Sequence, residues 1–160
     1  MDRAKVLALL QDVANGALRP EDAVRRLSMV PAESLGFATI DHHRALRNGY
    51  PEVIYGEGKT PEQVVSIAER LLHHGQTALV TRTDPTTRQA LRQRFPECVV
   101  NELGRTVRIG TQPPAPDRAT ILIVTAGTSD LPVAEEAAES AMAMGQSIER
   151  LTDVGVAGIH

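Results

Sequence analysis

The stretch ATILIVTAGTSDLPVAEE, residues 119–136, predicts a buried strand that runs into a polar turn and then a helix. Residues 120–125 form an apolar, β-branched run without alternation, which is typical of a parallel strand covered on both faces. The turn consists of small and polar residues: Gly127, Thr128, Ser129 and Asp130. Pro132 suits the first turn of a helix, and Glu135 suits its positive N-terminal end. This order of elements predicts an α/β fold.

The turn at residues 127–130 is a candidate phosphate site. A helix N-terminus offers free backbone N–H groups and the positive end of the helix dipole, and both favour an anion. The sequence matches neither the Walker pattern nor G-x-G-x-x-G. A second interpretation stays open, in which Gly127 only makes a tight turn and Ser129 or Asp130 only caps the helix.

Length, composition and charge narrow the class of protein. The chain has 160 residues, which is enough for one domain or two small ones, and 42% of them are hydrophobic. The formal net charge of −3 gives no electrostatic reason to expect binding to nucleic acid or to an acidic membrane. Because Cys98 is the single cysteine, no intramolecular disulfide can form. With no signal peptide and no membrane-spanning run in the sequence, we expect a soluble cytoplasmic protein.

The chain before the opening stretch predicts a smaller α/β unit. Apolar residues at helical spacing in residues 3–14, followed by a helix that begins at Pro20, predict a helical hairpin. A T-x-x-Q capping box at Thr60 starts a further helix, and Asp84 caps another. Strands are predicted at residues 52–55, 78–82, 98–101 and 106–109. We therefore expect an N-terminal domain at 1–112, a proline-rich linker at 113–118 and the first βαβ unit of a second domain at 119–160.

Charged residues are concentrated in the glycine-containing segment 36–59, which lacks sustained periodicity. Arg44 and Arg47 lie three apart, so one helical turn would place both guanidinium groups on one side, where they could clamp a phosphate or a carboxylate. Lys59 is a third candidate for the same role. The alternative is a solvated loop whose charges pair with one another.

Two pairs of adjacent histidines invite a metal interpretation that the local geometry does not favour. Neighbouring side chains point to opposite faces on a strand and diverge on a helix. Neither His42 with His43 nor His73 with His74 therefore forms a chelate by itself, and no metal site is predicted.

Three long motifs together resemble one known family. They are FATIDHHRALRNGYPEVIYGEGKTPEQV at 37–64, VTAGTSDLPVAEEAA at 124–138 and DVGVAGIH at 153–160. These segments resemble the LarB family of nickel-pincer cofactor biosynthesis, which is also described as AIR-carboxylase or PurE-like. The resemblance implies a PurE-like domain with a parallel, three-layer, flavodoxin- or Rossmann-like fold that begins near residue 119.

The resemblance also implies an activity. LarB-like proteins are pyridinium-3,5-biscarboxylic acid mononucleotide synthases, which carboxylate nicotinic acid adenine dinucleotide with CO₂ and hydrolyse its phosphoanhydride to release AMP. Carried over to this sequence, the turn residues 127–130 become ligand contacts and His160 becomes the catalytic histidine. The likeness further implies a homo-oligomer and CO₂ or bicarbonate as co-substrate. Mg²⁺ is compatible with a pyrophosphate substrate, although no residue set here requires it.

The sequence departs from this family in one respect. LarB proteins place near their C-terminal end a cysteine that adds to the pyridinium ring, and these 160 residues contain no such position. We therefore expect the front part of a longer protein. Two other functions stay open: a purine-type carboxylase that acts on aminoimidazole ribonucleotide, and a non-catalytic nucleotide-binding or assembly module.

Overall fold

The structure is a computed structural model that describes residues 3–27, 32–45, 50–110 and 119–155. Within these ranges the helices are α1 (Arg3–Ala14), α2 (Pro20–Leu27), α3 (Pro61–His73), α4 (Pro85–Arg94) and α5 (Leu131–Ala143). The strands are β1 (Ala32–Ser34), β2 (Thr39–Asp41), β3 (Val53–Tyr55), β4 (Ala78–Thr81), β5 (Val99–Asn101), β6 (Thr106–Ile109), β7 (Ile121–Val124) and β8 (Ile148–Leu151). The α/β class predicted from the sequence is confirmed.

The predicted helical hairpin is present at the N-terminus. α1 ends where Gly16 adopts φ +74°, and its N–H donates to the carbonyl of Val13 at 3.1 Å. Glycine adopts this left-handed backbone without steric penalty, so it terminates the helix. Lys5 of α1 makes a hydrogen bond to the segment after α3: its Nζ donates to the carbonyl of Gly75 at 3.2 Å.

The largest sheet has four strands in the order β3-β4-β6-β5. β3 and β4 are parallel, whereas β6 is antiparallel to both β4 and β5. Along the chain, β3 to β6 alternate with α3 and α4 in the predicted β-α-β-α-β-β order. These elements share one buried, mainly aliphatic cluster. Its members include Ile54, Val64, Leu71, Val80, Leu91, Phe95, Val107 and Ile109.

Two helix starts are fixed by the side chains that the sequence indicated. At α3, the amide of Gln63 donates to Thr60 Oγ1 at 3.3 Å, and the amide of Thr60 donates to Gln63 Oε1 at 3.0 Å. At α4, the amide of Thr87 donates to Asp84 Oδ1 at 2.7 Å. Each cap satisfies N–H groups that have no partner within the helix.

β7 and β8 form a separate parallel pair, and α5 packs against both strands. The parallel arrangement agrees with the prediction, but the prediction that β7 is covered on both faces is wrong. Leu122 and Val124 are each 53% exposed. Within the described chain β7 pairs with β8 alone, and α5 leaves the face that carries Leu122 and Val124 open.

α5 also contacts the four-stranded sheet through one acidic side. Glu136 Oε1 accepts from Arg82 Nε at 2.9 Å, and Glu139 Oε2 accepts from Arg108 Nε at 3.3 Å. Gly104 lies so close to α5 that a Cβ there would be 2.9 Å from the carbonyl carbon of Glu135. These contacts fix the helix, and with it the turn that precedes it, against β4 and β6.

A short hairpin, β1–β2, precedes the large sheet and is absent from the sequence prediction. Its strands are antiparallel, and the amide of Leu35 donates to the carbonyl of Ala38 at 2.8 Å. Gly36 adopts φ +82° in the turn. The segment 36–59, which lacks sustained periodicity, therefore contains β2, which was not predicted, as well as the predicted strand β3. None of the helices in the described ranges combines the length and the apolar character needed to cross a bilayer.

Candidate functional site

The turn after β7 holds the four residues predicted to contact a phosphate. Thr128–Asp130 form one turn of 3-10 helix that leads into α5. Asp130 Oδ2 accepts from the amides of Ala126 and Gly127, both at 3.1 Å. Asp130 therefore organises the turn from within. Within the described residues its side chain accepts no hydrogen bond from the first amides of α5, so it does not cap this helix as the second interpretation proposed. Both hydrogen bonds go to Oδ2, so the second carboxylate oxygen, Oδ1, takes no part in holding the turn.

An open pocket of about 410 Å³ lies over this turn. Its polar lining comes from Thr125, Ser129 and Asp130, and its apolar lining comes from β7 and the first turns of α5. Thr125 is 5% exposed, and its Oγ1 has no hydrogen-bond partner in the described chain. A buried hydroxyl without a partner is costly unless a ligand or water satisfies it. The pocket lies at the carboxyl end of a parallel strand, where α/β proteins bind ligands.

The segment after β8 is hydrogen-bonded to the same turn. The amide of Gly155 donates to the carbonyl of Ala126 at 3.0 Å, and the amide of Val154 donates to the carbonyl of Thr125 at 3.2 Å. A Cβ at Gly155 would lie 2.5 Å from the carbonyl oxygen of Ala126, so only glycine fits there. By contrast, a Cβ at Gly127 would meet nothing within 4 Å.

An ion-pair network fixes α5 behind the turn. Glu135 accepts from Arg150 Nε at 2.8 Å on one oxygen and from Asn101 Nδ2 at 2.7 Å on the other. These hydrogen bonds hold the pKa of Glu135 below its ordinary value, and the bond from Arg150 is the main cause. Glu135 therefore connects β8 to the four-stranded sheet.

The other predicted phosphate ligands lie in the preceding segment. Arg44 is exposed, and its guanidinium donates to Glu52 Oε1 at 3.3 Å. Lys59 donates to the carbonyl of Tyr55 at 2.7 Å, with Nζ 5.9 Å from the centre of the Tyr55 ring. Both hydrogen bonds remain within residues 44–59, which agrees with the alternative of internal pairing. Arg47 and His160 lie outside the described residues.

A second group of polar side chains meets near the β1–β2 hairpin. Glu33 Oε2 lies 3.0 Å from His42 Nε2 and 3.4 Å from His74 Nε2. The other carboxylate oxygen, Oε1, lies 3.4 Å from Arg70 Nε. The two imidazole rings are tilted, with centroids 3.9 Å apart. They line an open pocket of about 600 Å³ together with Arg70 and His73.

This second group takes one histidine from each adjacent pair in the sequence. His42 follows β2 and is buried, whereas His74 is the C-cap of α3. The hydrogen bond with His42 is the main cause that lowers the pKa of Glu33, whereas burial and the neighbouring His42 lower the pKa of His74. Sequence reasoning missed the group because it tested each pair by itself. A signal was nevertheless present in the sequence, since four of its five histidines occur in two adjacent pairs.

The fold and the first pocket define an α/β protein with a candidate site at a strand–turn–helix junction. A family model described as the LarB/PurE-like N-terminal domain matches residues 32–111. The chain therefore belongs to the LarB family. An uncharacterized protein of Methanocaldococcus jannaschii is 32% identical to it over 127 residues, which cover 76% of this chain and 50% of that protein. The chain thus spans about half the length of this curated relative.

Proposed function

We propose that this chain contributes the nucleotide-binding part of a pyridinium-3,5-biscarboxylic acid mononucleotide synthase. The reaction replaces a ring hydrogen of nicotinic acid adenine dinucleotide with a carboxylate from CO₂, releases that hydrogen as a proton, and cleaves the phosphoanhydride with water to give AMP. Membership of the LarB family supports this class of reaction. The single observation that carries the proposal is the pocket at the turn between β7 and α5, where the start of the helix, the Asp130 carboxylate and the buried, unpartnered Thr125 hydroxyl meet.

In this proposal the substrate phosphate binds at the N-terminal end of the 3-10 turn and α5. The first amides of a helical segment have no partner within it, and they lie at the positive end of the dipole. Ser129 adds a hydroxyl beside these amides. Asp130 Oδ1, which accepts no hydrogen bond in the described chain, can accept one from a ribose hydroxyl.

Several roles predicted from the residues themselves or implied by the resemblance remain part of the proposal. Arg44 and Lys59, together with Arg47, bind the more distant phosphate. The ion pair of Arg44 with Glu52 is partly exposed, and such a pair costs only about 0–1 kcal/mol to exchange for a ligand. His160 acts as the proton-transfer group, and Mg²⁺ can offset the pyrophosphate charge. The family cysteine comes from outside these 160 residues.

The whole protein is proposed to be a homo-oligomer. The open face of the β7–β8 pair carries exposed apolar side chains, and an uncovered strand edge favours association. Light scattering coupled to size-exclusion chromatography measures this directly. A monomeric full-length protein that is fully active would remove oligomer formation from the proposal.

A purine-type carboxylase is less well supported. Its likeness is limited to the turn and the final residues, whereas the family match covers residues 32–111. A purine-carboxylase function leaves that N-terminal region unexplained, so the region favours the LarB reaction.

The test supplies the full-length protein with nicotinic acid adenine dinucleotide and ¹³C-bicarbonate. We expect AMP by chromatography and a nucleotide that carries one additional labelled carboxylate by mass spectrometry. A parallel reaction with aminoimidazole ribonucleotide is the control, and its colour assay should show no consumption. Consumption of aminoimidazole ribonucleotide without AMP release would identify a purine carboxylase instead. Binding of the dinucleotide without either product would support a non-catalytic module.

A further inference from the structure

We propose that Glu33, His42 and His74 form a binding site for a divalent transition metal ion of the Zn²⁺ type, which is independent of the nucleotide site. One potential ligand atom from each residue lies within 4.8 Å of the other two. Two imidazole nitrogens and one carboxylate oxygen are a common ligand set for zinc sites that keep a position open. Neither the β7 turn nor the proposed carboxylation uses these residues.

The observed spacing fits a tetrahedral ion. Bonds from zinc to nitrogen and oxygen of about 2.0–2.2 Å place neighbouring ligand atoms about 3.3–3.6 Å apart in a tetrahedron. The distances from Glu33 Oε2 to the two Nε2 atoms are 3.0 and 3.4 Å. An ion could therefore enter between the three side chains with only small side-chain adjustments.

The three side chains are held by separate elements that pack together. Glu33 lies on β1, where it is paired with Ile40 of β2, and His42 follows β2 directly. The backbone N–H of His74 donates to the carbonyls of Arg70 and Leu72 at the end of α3. Since the hairpin and the helix end position the ligands, the site needs little ordering when an ion binds.

The surroundings supply the second layer of contacts that such sites require. Arg70 binds Glu33 Oε1, which directs Oε2 toward the histidines. The side-chain amide of Gln76 lies 3.4 Å from His42 Nδ1. When Nε2 binds an ion, Nδ1 carries a proton and donates a hydrogen bond. The Gln76 amide can accept it by exchanging its oxygen and nitrogen, which gives up the hydrogen bond of 3.4 Å from Gln76 Nε2 to the His42 carbonyl. The fourth ligand position opens on the pocket that Ser34, Arg70 and His73 line, where water or an anionic oxygen ligand can complete the coordination.

The alternative is that Glu33 Oε2 only accepts hydrogen bonds from two protonated imidazole nitrogens. That arrangement has the same heavy-atom distances, so metal binding itself must be measured. The protein is prepared without a polyhistidine tag, is freed of metal with a chelator, and is titrated with Zn²⁺ in competition with a chromophoric chelator. We expect one saturable ion per chain.

Variants of the three ligands distinguish this site from surface binding. His42→Gln, His74→Gln and Glu33→Gln should each weaken Zn²⁺ binding at least ~10-fold, and Gln76→Leu should weaken it by about 10–100-fold through the lost second-layer contact. His73→Gln is the matched control, because His73 adjoins His74 and lines the same pocket but is outside the ligand set. Its affinity should stay within about twofold of the wild type.

Co²⁺ provides a readout that does not depend on the folding of the variants. The wild-type protein with Co²⁺ should give the intense visible absorption of a tetrahedral ion with nitrogen and oxygen ligands, and excess Zn²⁺ should abolish it. Weak octahedral absorption, no saturable Zn²⁺ binding, or equal losses in His73→Gln and His74→Gln would each overturn the proposal.

Discussion

At the scale of a single residue, Asp130 has one observed role and one proposed role. Its Oδ2 caps the turn by accepting from the amides of Ala126 and Gly127, and its other oxygen is proposed to bind the ribose. The sequence predicted both the cap and the ligand contact as alternatives for Asp130. Within the described residues no amide of α5 donates to the Asp130 side chain, so the predicted helix cap is absent, and the carboxylate instead holds the turn before the helix. The ligand contact stays a proposal.

Asp130→Asn separates these roles, because the amide oxygen of asparagine can still accept from the turn. We expect affinity for nicotinic acid adenine dinucleotide to fall by about 1–3 kcal/mol, the cost of a lost hydrogen bond to a charged group. Titration calorimetry on the full-length protein measures this loss. Asp153→Asn, which removes a charge at a nearby exposed position, is the control. Unchanged affinity together with a lower melting temperature would show that Asp130 only stabilises the turn and does not bind the nucleotide.

Two glycines near the turn should respond in opposite ways to alanine. Gly155→Ala places a methyl group 2.5 Å from the carbonyl oxygen of Ala126, so we expect destabilisation by about 1–3 kcal/mol. Gly127→Ala has free space and an extended backbone, so the free energy of unfolding should change by less than about 0.5 kcal/mol. Urea unfolding compares the two.

Nucleotide binding completes this comparison. If a phosphate approaches the backbone of the turn, Gly127→Ala should fold normally and still bind the dinucleotide more weakly. Normal binding by that variant would contradict the proposed position of the ligand.

At the scale of secondary-structure elements, the helix starts were predictable because their signals are local. The capping box at Thr60 and the cap at Asp84 depend on residues three apart, and both are present. The β1–β2 hairpin was not predictable, since its strands have three residues each and one of them is AES. The open face of β7 was also missed, because an apolar run indicates burial but cannot show how many layers cover it.

The cap of α4 gives a pH dependence with a defined sign. The amide of Thr87, which donates to Asp84, is the main cause that lowers the pKa of Asp84 in the folded state. The stabilisation is therefore fully present above the ordinary pKa of aspartate and is lost as pH falls through the lowered folded value. Asp84→Ala should cost about 0.5–2 kcal/mol at neutral pH, and this difference should shrink in acid.

Chemical unfolding at several pH values measures this difference. Asp84→Asn is the matched control, because it caps with a neutral oxygen and should lack this pH dependence. An equal loss for Asp84→Ala at neutral and acidic pH would show that the charge of the cap contributes nothing.

At the scale of the whole molecule, α5 connects the β7–β8 pair to the four-stranded sheet. Three glutamates at residues 135, 136 and 139 make this contact, and their partners come from the sheet unit. The sequence predicted the helix and its acidic start but gave no indication of these partners, which are 31–54 residues away in the chain. The domain boundary at 113–118 lies outside the described residues and stays a prediction.

Double-mutant cycles test which of these contacts holds the two parts together. The side chains of Arg108 and Glu139 are 19% and 9% exposed, so their coupling energy should exceed about 1 kcal/mol. Arg82 is more exposed at 45%, and its coupling to Glu136 should stay below about 1 kcal/mol. Unfolding of the single and double alanine variants measures both couplings. Equal coupling energies would show that burial does not strengthen the inner pair.

The most direct test of the central claim is an NMR titration of this chain with nicotinic acid adenine dinucleotide. The backbone amide signals of residues 125–131 should shift and saturate, because the claim places a phosphate on the turn before α5. Nicotinic acid, which lacks phosphate, should leave these signals in place. Saturable binding that shifts other amides and leaves those of residues 125–131 unchanged would contradict the account.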